Sequence, residues 1–286
     1  MKKLSGRFKI IIWTNVTIIL LLVFCAWQND SIVISSSDYY SSSLPVDFNE
    51  FKIVQISDLH NKMFGEKQAK LLRQVEKLSP DIIIVTGDLV DRRNYDLDTA
   101  MCFINGAMKI APIYYVSGNH EAWSGKYSQI THRLMEAGVY IMDDAALELT
   151  KGSSTIQILG LSDPDFLTSN YLDGTNTSRL EKQLNQWAKN DKFKVLLSHR
   201  PELFDLYCEN NIELIFSGHA HGGQFRMPFV GGLFAPDQGL FPHYTSGSHR
   251  SGSSTMFVSR GLGNSIIPIR IFNRPEIIAV KLKSTE

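Results

Sequence analysis

Five short polar motifs carry the chemistry of this chain: Asp58-Leu59-His60, Gly87-Asp88, Gly118-Asn119-His120-Glu121, Ser198-His199 and Gly218-His219-Ala220-His221. They offer the carboxylates of Asp58 and Asp88, the amide of Asn119 and the imidazoles of His60, His120, His199, His219 and His221. Mixed carboxylate, amide and imidazole donors suit manganese, iron or zinc better than calcium or a thiolate-seeking metal. Two such ions about 3.5–4 Å apart need a bridging ligand, and a carboxylate with two oxygens is well suited. Asp88 is the natural candidate. The pair would lower the pKa of a shared water, giving a bridging hydroxide near neutral pH, and would neutralise phosphoryl oxygens as charge builds. Phosphoester hydrolysis is therefore the leading reading. His120 is left over beside Asn119, and as an imidazolium it could protonate the leaving oxygen or stabilise the transition state. Asp91 could hold His120 in its charged form. Arg92 or Arg200 could clamp a phosphate oxygen. His243 and His249 are candidates for lining the cleft, whereas His132 reads as a solvated helix residue.

Each motif alone is ordinary, since Gly, Asp and Asn are common turn residues. Their weight comes from placement, because each follows a short apolar run. Phe51–Ile56, Asp81–Thr86, Ile113–Val116, Phe193–Leu197 and Ile212–Phe216 read as strands, and Ile82-Ile83-Ile84-Val85 is the continuous run of a strand buried on both faces. Sites in α/β sheets form beyond the carboxyl ends of strands. Asp58 and His60 are two apart, as are His219 and His221, so a strand-like backbone would put each pair on one side.

Between the strands, apolar residues at helical spacing predict helices over Lys67–Leu78, Asp98–Lys109, Tyr127–Ala137 and Pro201–Cys208. Ser178 and Glu181 predict a capping box opening a helix that runs to Lys189. Leu147–Leu149 and Thr155–Leu159 look like a hairpin. Thr255–Val258 and Ile277–Leu282 predict late strands, some antiparallel. Residues 222–250, rich in Gly, Pro and aromatics, should form much of the cleft wall. The aromatics there are compatible with a lipid-linked phosphate substrate, but core packing is the expected role for most of them.

The first 48 residues have another character. Lys2, Lys3, Arg7 and Lys9 precede an uncharged run from Ile10 to Trp27, long enough to span a bilayer core. The reading is a basic cytoplasmic tail (1–9), an uncleaved transmembrane signal anchor (10–27), a linker or edge strand (28–48) and one domain (49–286). The basic flank predicts that this domain is extracytoplasmic, on a single-pass protein of the cell membrane. With 29 basic and 29 acidic residues the formal net charge is zero, so no nucleic-acid partner is expected. Cys25, Cys102 and Cys208 form no disulfide framework or zinc knuckle, and buried thiols are expected for the last two.

With all five motifs intact over residues 50–282, the chain resembles the calcineurin-like metallophosphoesterases. The resemblance implies a four-layer α/β/β/α sandwich of two mixed β-sheets with a dinuclear site between them. It also implies that one metal is held by Asp58, His60, Asp88 and His221, and the other by Asp88, Asn119, His199 and His219. Gly87-Asp88-Leu89-Val90-Asp91-Arg92 is similar to the matching block of Ser/Thr protein phosphatases, which implies that Asp91 supports His120 and that Arg92 binds phosphate. Ser117 stands where those enzymes have Arg, which argues against protein substrates. Gln55–His60, Gly218–Gln224, Gly231–Gly239 and Ser259–Gly263 most resemble bacterial membrane-associated phosphoesterases of the YkuE/YaeI type. One alternative is hydrolysis of a lipid precursor in the manner of UDP-2,3-diacylglucosamine pyrophosphohydrolase, a cytoplasmic step that the proposed topology disfavours. Another is a non-catalytic, metal-stabilised binding module at the cell surface.

Overall fold

The unbroken apolar runs become strands whose alternate residues face two different cores. In the structure, a computed structural model that describes residues 6–168, 175–227, 229–264 and 268–285, Ile82 and Ile84 point between two sheets. Ile83 and Val85 point to an outer helical layer. A strand with apolar contacts on both faces cannot show polar alternation.

The chain opens with helix α1 (Gly6–Asp30) and strand β1 (Val33–Ser41). Then come β2 (Lys52–Ile56), α2 (Ala69–Leu78), β3 (Ile82–Thr86), α3 (Leu97–Ala107), β4 (Ile113–Val116), α4 (Asn119–Trp123), α5 (Tyr127–Glu136) and β5 (Tyr140–Ile141). The hairpin β6 (Ala145–Lys151) and β7 (Ser154–Gly160) leads to α6 (Ser178–Trp187), β8 (Lys194–Leu197), α7 (Phe204–Glu209) and β9 (Leu214–Ser217). Two miniature hairpins follow, β10 (Arg226–Met227) with β11 (Gly231–Gly232), and β12 (Phe234–Ala235) with β13 (Gly239–Leu240). The last strands are β14 (Gly247–Ser251), β15 (Ser254–Val258) and β16 (Glu276–Ser284).

Two mixed six-stranded sheets result, in the orders β1-β16-β2-β3-β4-β5 and β14-β15-β9-β8-β7-β6. In the first, β2 through β5 are parallel and β16 runs antiparallel to β2. In the second, β15, β9, β8 and β7 are parallel, with antiparallel strands at both edges. Ile53, Ile84, Val116, Ile158, Leu197 and Phe216 pack between the sheets. Helices α2, α3 and α5 cover the first sheet through residues such as Leu71, Phe103 and Leu134. Helices α6 and α7 cover the second through Leu184 and Tyr207. The molecule is thus a four-layer α/β/β/α sandwich. Gln55 cross-links its two sheets, donating from Nε2 to Thr86 Oγ1 at 2.8 Å and to the Ser217 carbonyl at 2.9 Å.

Some local expectations change. Thr177, not Ser178, precedes the first turn of α6, and its hydroxyl donates to Glu181 at 2.6 Å. Cys102 and Cys208 are half-buried free thiols rather than fully buried ones. The serine-rich stretch is a strand: β1 pairs in parallel with β16 from Val33↔Glu276 to Ser41↔Ser284. Helix α1 runs three residues past Trp27, so only Ser31 and Ile32 separate it from β1. Its apolar side chains are exposed, and it is long and apolar enough to cross a membrane. Its end is held against the domain. The Phe24 ring meets Phe272 at 5.7 Å, Arg274 stacks on Trp27, and Lys62 donates to the Asn29 carbonyl.

Ile84 is fully buried between the sheets. Ile84→Ala should lower stability by about 2–5 kcal/mol, measured as a shift in the urea midpoint of the full chain in detergent at unchanged slope.

Candidate metal centre

The motifs sit where five parallel strands end on the same edge of the two sheets. Strands β2, β3 and β4 deliver Asp58, Asp88 and Asn119; β8 and β9 deliver His199 and His219. A strand-like backbone does not aim the side chains, as the spacing had suggested. Asp58 (φ 51°), His60 (46°), Asp88 (51°), His219 (64°) and His221 (45°) all lie in the left-handed region. That conformation costs of order 1–3 kcal/mol for each such residue and persists only where the surroundings enforce it. Here backbone hydrogen bonds do so, from Asp58 N to Gly87 O (3.0 Å), His60 N to Asp88 O (3.0 Å) and Gly263 N to Asp58 O (2.6 Å). Glycine is needed where the loops touch: a Cβ on Gly118 would fall on Asp88 Oδ1, and one on Gly218 on Ser57 Oγ.

Asp88 is the centre of the cluster. Its Oδ2 lies 3.5 Å from His60 Nε2 and 3.4 Å from His199 Nε2, while its Oδ1 accepts from His120 N–H at 2.8 Å. On one side, Asp58 Oδ1 is 3.3 Å from His221 Nε2, and His221 Nε2 is 3.1 Å from His60 Nε2. On the other, His219 Nδ1 is 3.1 Å from Asn119 Oδ1. All but the half-buried Asn119 are nearly inaccessible to solvent.

This arrangement fits divalent cations on its own chemistry. Burial, then the neighbouring His120, pushes the His60 imidazole down to about 3, and burial with the nearby His60 pushes His221 well below its usual value. Both rings are therefore neutral. Their Nε2 atoms lie 3.1 Å apart, close enough for a lone pair from each ring to reach one cation. His199 donates from Nδ1 to the Thr86 carbonyl at 2.7 Å, which leaves its buried Nε2 with no hydrogen-bond partner. A ring nitrogen fixed through its other nitrogen to a carbonyl is the usual preparation of a histidine ligand. Although burial opposes protonation of His199, the charges of Asp88 and Asp58 raise it to about 10, so a cation bound here would take the place of that proton.

His120 and Asp91 lie side by side. Asp91 Oδ1 lies 3.5 Å from His120 Nδ1, and the Arg92 backbone nitrogen lies 3.1 Å from the same atom. Burial lowers the imidazole, but Asp88 and Asp91 together outweigh it and the net displacement is upward. The His120 ring stands edge-on to His60, 4.4 Å between centroids. Arg92 is exposed, stacks 4.4 Å over Trp123, and forms no ion pair among the described residues.

Arg200 and His243 depart from expectation. The Arg200 guanidinium is buried and enclosed by carboxylates: Asp163 at 2.7 and 2.8 Å, Asp165 at 2.8 Å and Asp237 at 2.5 Å. Its donors are spent inside the protein, so it braces the site rather than clamping a phosphate. His243 packs edge-on to Tyr244 and near His249, not against any of the seven candidate ligands. His132 is exposed and pairs with Glu136.

Two residues had no assigned role. Glu121 is fully buried, with Oε2 accepting from the amides of Asp88 and Gly118 at 2.8 Å each and Oε1 from Val90 at 3.1 Å, so one carboxylate ties two ligand loops together. Its place three residues after Gly118, at the start of α4, was the available signal. Asp237 accepts from His219 Nε2 at 2.9 Å, opposite the Nδ1 that faces Asn119, and also holds Arg200. It sits in a Pro-Asp turn with no local mark of such a role.

Glu121→Ala would leave three buried amides without an acceptor. It should lower the metal content of the purified chain, and hydrolysis with it, by about 10–100-fold, read by elemental analysis and initial rates on the same sample.

Residues 51–223 match the family described as calcineurin-like phosphoesterase. The chain is 35% identical over 254 residues to an uncharacterized metallophosphoesterase, YkuE, of Bacillus subtilis (strain 168), covering 86% of this chain and 83% of that one. It is 26% identical to the phosphodiesterase YaeI of Escherichia coli (strain K12), covering 81% and 82%. It is 29% identical to a transmembrane protein with a metallophosphoesterase domain from Bos taurus, covering 84% of this chain and 55% of that protein. The chain belongs to the calcineurin-like phosphoesterase family and is a metal-dependent hydrolase.

Proposed function

We propose that this chain is a membrane-anchored, two-metal phosphoesterase acting outside the cytoplasm. The observation that carries the reading is Asp88 Oδ2, lying between His60 Nε2 of one ligand set and His199 Nε2 of the other. Asp58, His60, Asp88 and His221 would hold one ion, and Asp88, Asn119, His199 and His219 the second. When bound, the pair supplies Lewis acidity toward phosphoryl oxygens and an activated water. The protein supplies the rest. His120 has Nδ1 engaged with Asp91 and Arg92, so Nε2 is the atom that gives a proton to the leaving oxygen. Arg92, held on Trp123, contacts a non-bridging oxygen. Glu121 and Asp237 keep the ligand loops and His219 in place. Phosphodiesters are the first substrates to try, given the relative named a phosphodiesterase. The exposed apolar face of α1 and the basic residues before it support the anchor and its orientation.

The full chain in detergent should hydrolyse bis-p-nitrophenyl phosphate with added manganese, lose the activity to a chelator and regain it with divalent metal. Asp88→Asn should abolish turnover. His120→Ala should keep its metal but lose about 10²–10⁴-fold in kcat. A full rate in Asp88→Asn would refute the mechanism, and bound metal without turnover on a broad phosphoester panel would favour the binding-module reading.

A further inference from the structure

Part of the stretch expected to bury its aromatics exposes them, although Phe225 and Tyr244 are half-buried. Phe229 is fully exposed at the turn of the β10–β11 hairpin, with Val230 beside it; Leu240 and Phe241 are 74% and 65% exposed on the β12–β13 hairpin. Ile269 and Phe272 are exposed in the adjoining loop. Singly exposed apolar residues are ordinary, whereas a contiguous group on loops next to a site marks a surface that meets an apolar partner.

These residues form one platform. Arg226 N–H donates to the Ile271 carbonyl at 3.1 Å, and Phe225 bridges to Ile271, so the first hairpin lies along the 269–272 loop. Phe241 N–H donates to the Leu233 carbonyl and Leu233 N–H to Phe225, which ties in the second hairpin. The platform is joined to the metal centre, since Asn273 Nδ2 donates to the His221 carbonyl at 2.7 Å and Arg226 Nη1 to the Gly222 carbonyl at 2.9 Å. It is also continuous with α1, where Phe272 receives the Phe24 ring.

We infer that this platform rests in the interface of the phospholipid bilayer that α1 crosses, so that the metal centre opens at the membrane surface toward phosphoesters carried on lipids. The inference rests on the anchored reading above. Three features favour lipid over a protein partner. The two-residue connection after α1 leaves the domain no freedom to stand off from the membrane. The exposed group is rich in Phe, and the one acidic side chain of the β12–β13 turn, Asp237, is turned inward to Arg200 and His219, a composition that suits the headgroup boundary. Arg226 and Arg274 lie at its root, where anionic headgroups would be, while Lys62 beside them is paired with Asp30.

The test uses the full chain with Leu240→Cys or Val230→Cys carrying a polarity-sensitive fluorophore, and Glu136→Cys on α5 as the control. Unsubstituted chain treated in parallel gives the signal of the native cysteines. Retained hydrolysis of bis-p-nitrophenyl phosphate in detergent shows that each variant is folded. After reconstitution into phosphatidylglycerol–phosphatidylethanolamine vesicles, positions 230 and 240 should show blue-shifted emission quenched at least twofold by brominated lipid, and position 136 neither. Water-like emission at both test positions, in protein that resists carbonate extraction, would overturn the inference and leave the anchor standing. Extraction of the protein by carbonate would overturn both. Blue-shifted emission without bromolipid quenching, accompanied by a crosslinked dimer, would give the platform to a second copy of the chain and also overturn it.

Discussion

An ionised carboxylate cannot be kept dry without compensation, and much of this structure answers to the burial of Asp88. Its oxygens are met by two imidazoles and a backbone amide, and its own N–H is held by a second buried carboxylate, Glu121. Burial drives both acids toward protonation. The surrounding histidines reverse this for Asp88, which is held well below the ordinary carboxylate range, while burial and the Asp88 charge leave Glu121 at about 7. The negative centre therefore lies on the residue that faces both ligand sets.

Holding that centre is costly in backbone conformation. Five candidate ligands occupy left-handed φ values that strands do not supply, and each sits immediately beyond a strand fixed by two cores. The sandwich is rigid where the loops are strained. Gln55 fastens the sheets together three residues before Asp58, so the two halves of the site cannot drift apart without breaking a buried amide contact.

What could be read from the chain follows the range of the physics involved. Ile113–Val116 was located to the residue because a short apolar run between polar turns has one good solution. The candidate ligand residues stood out because their side chains have little use elsewhere. Asp237 was not, since its contact with His219 closes over a turn whose composition is merely that of a turn. Arg200 was misread because a free guanidinium and one enclosed by Asp163, Asp165 and Asp237 look identical in sequence. The exposed phenylalanines of residues 229–241 were misread for a related reason: hydrophobicity reports a preference to leave water, not which apolar medium receives the side chain.

The pairing of β1 with β16 bears on how the molecule is made. β16 lies between β1 and β2, so a strand far later in the sequence takes an interior place in the first sheet. Until it arrives, β2 presents an unpaired edge, and β1, tethered to α1, has no partner. Contacts closed over such sequence separations form slowly. The sheet that bears Asp58, Asp88 and Asn119 is thus completed only once β16 has joined it, and β2 must be shielded from stray strand pairing until then.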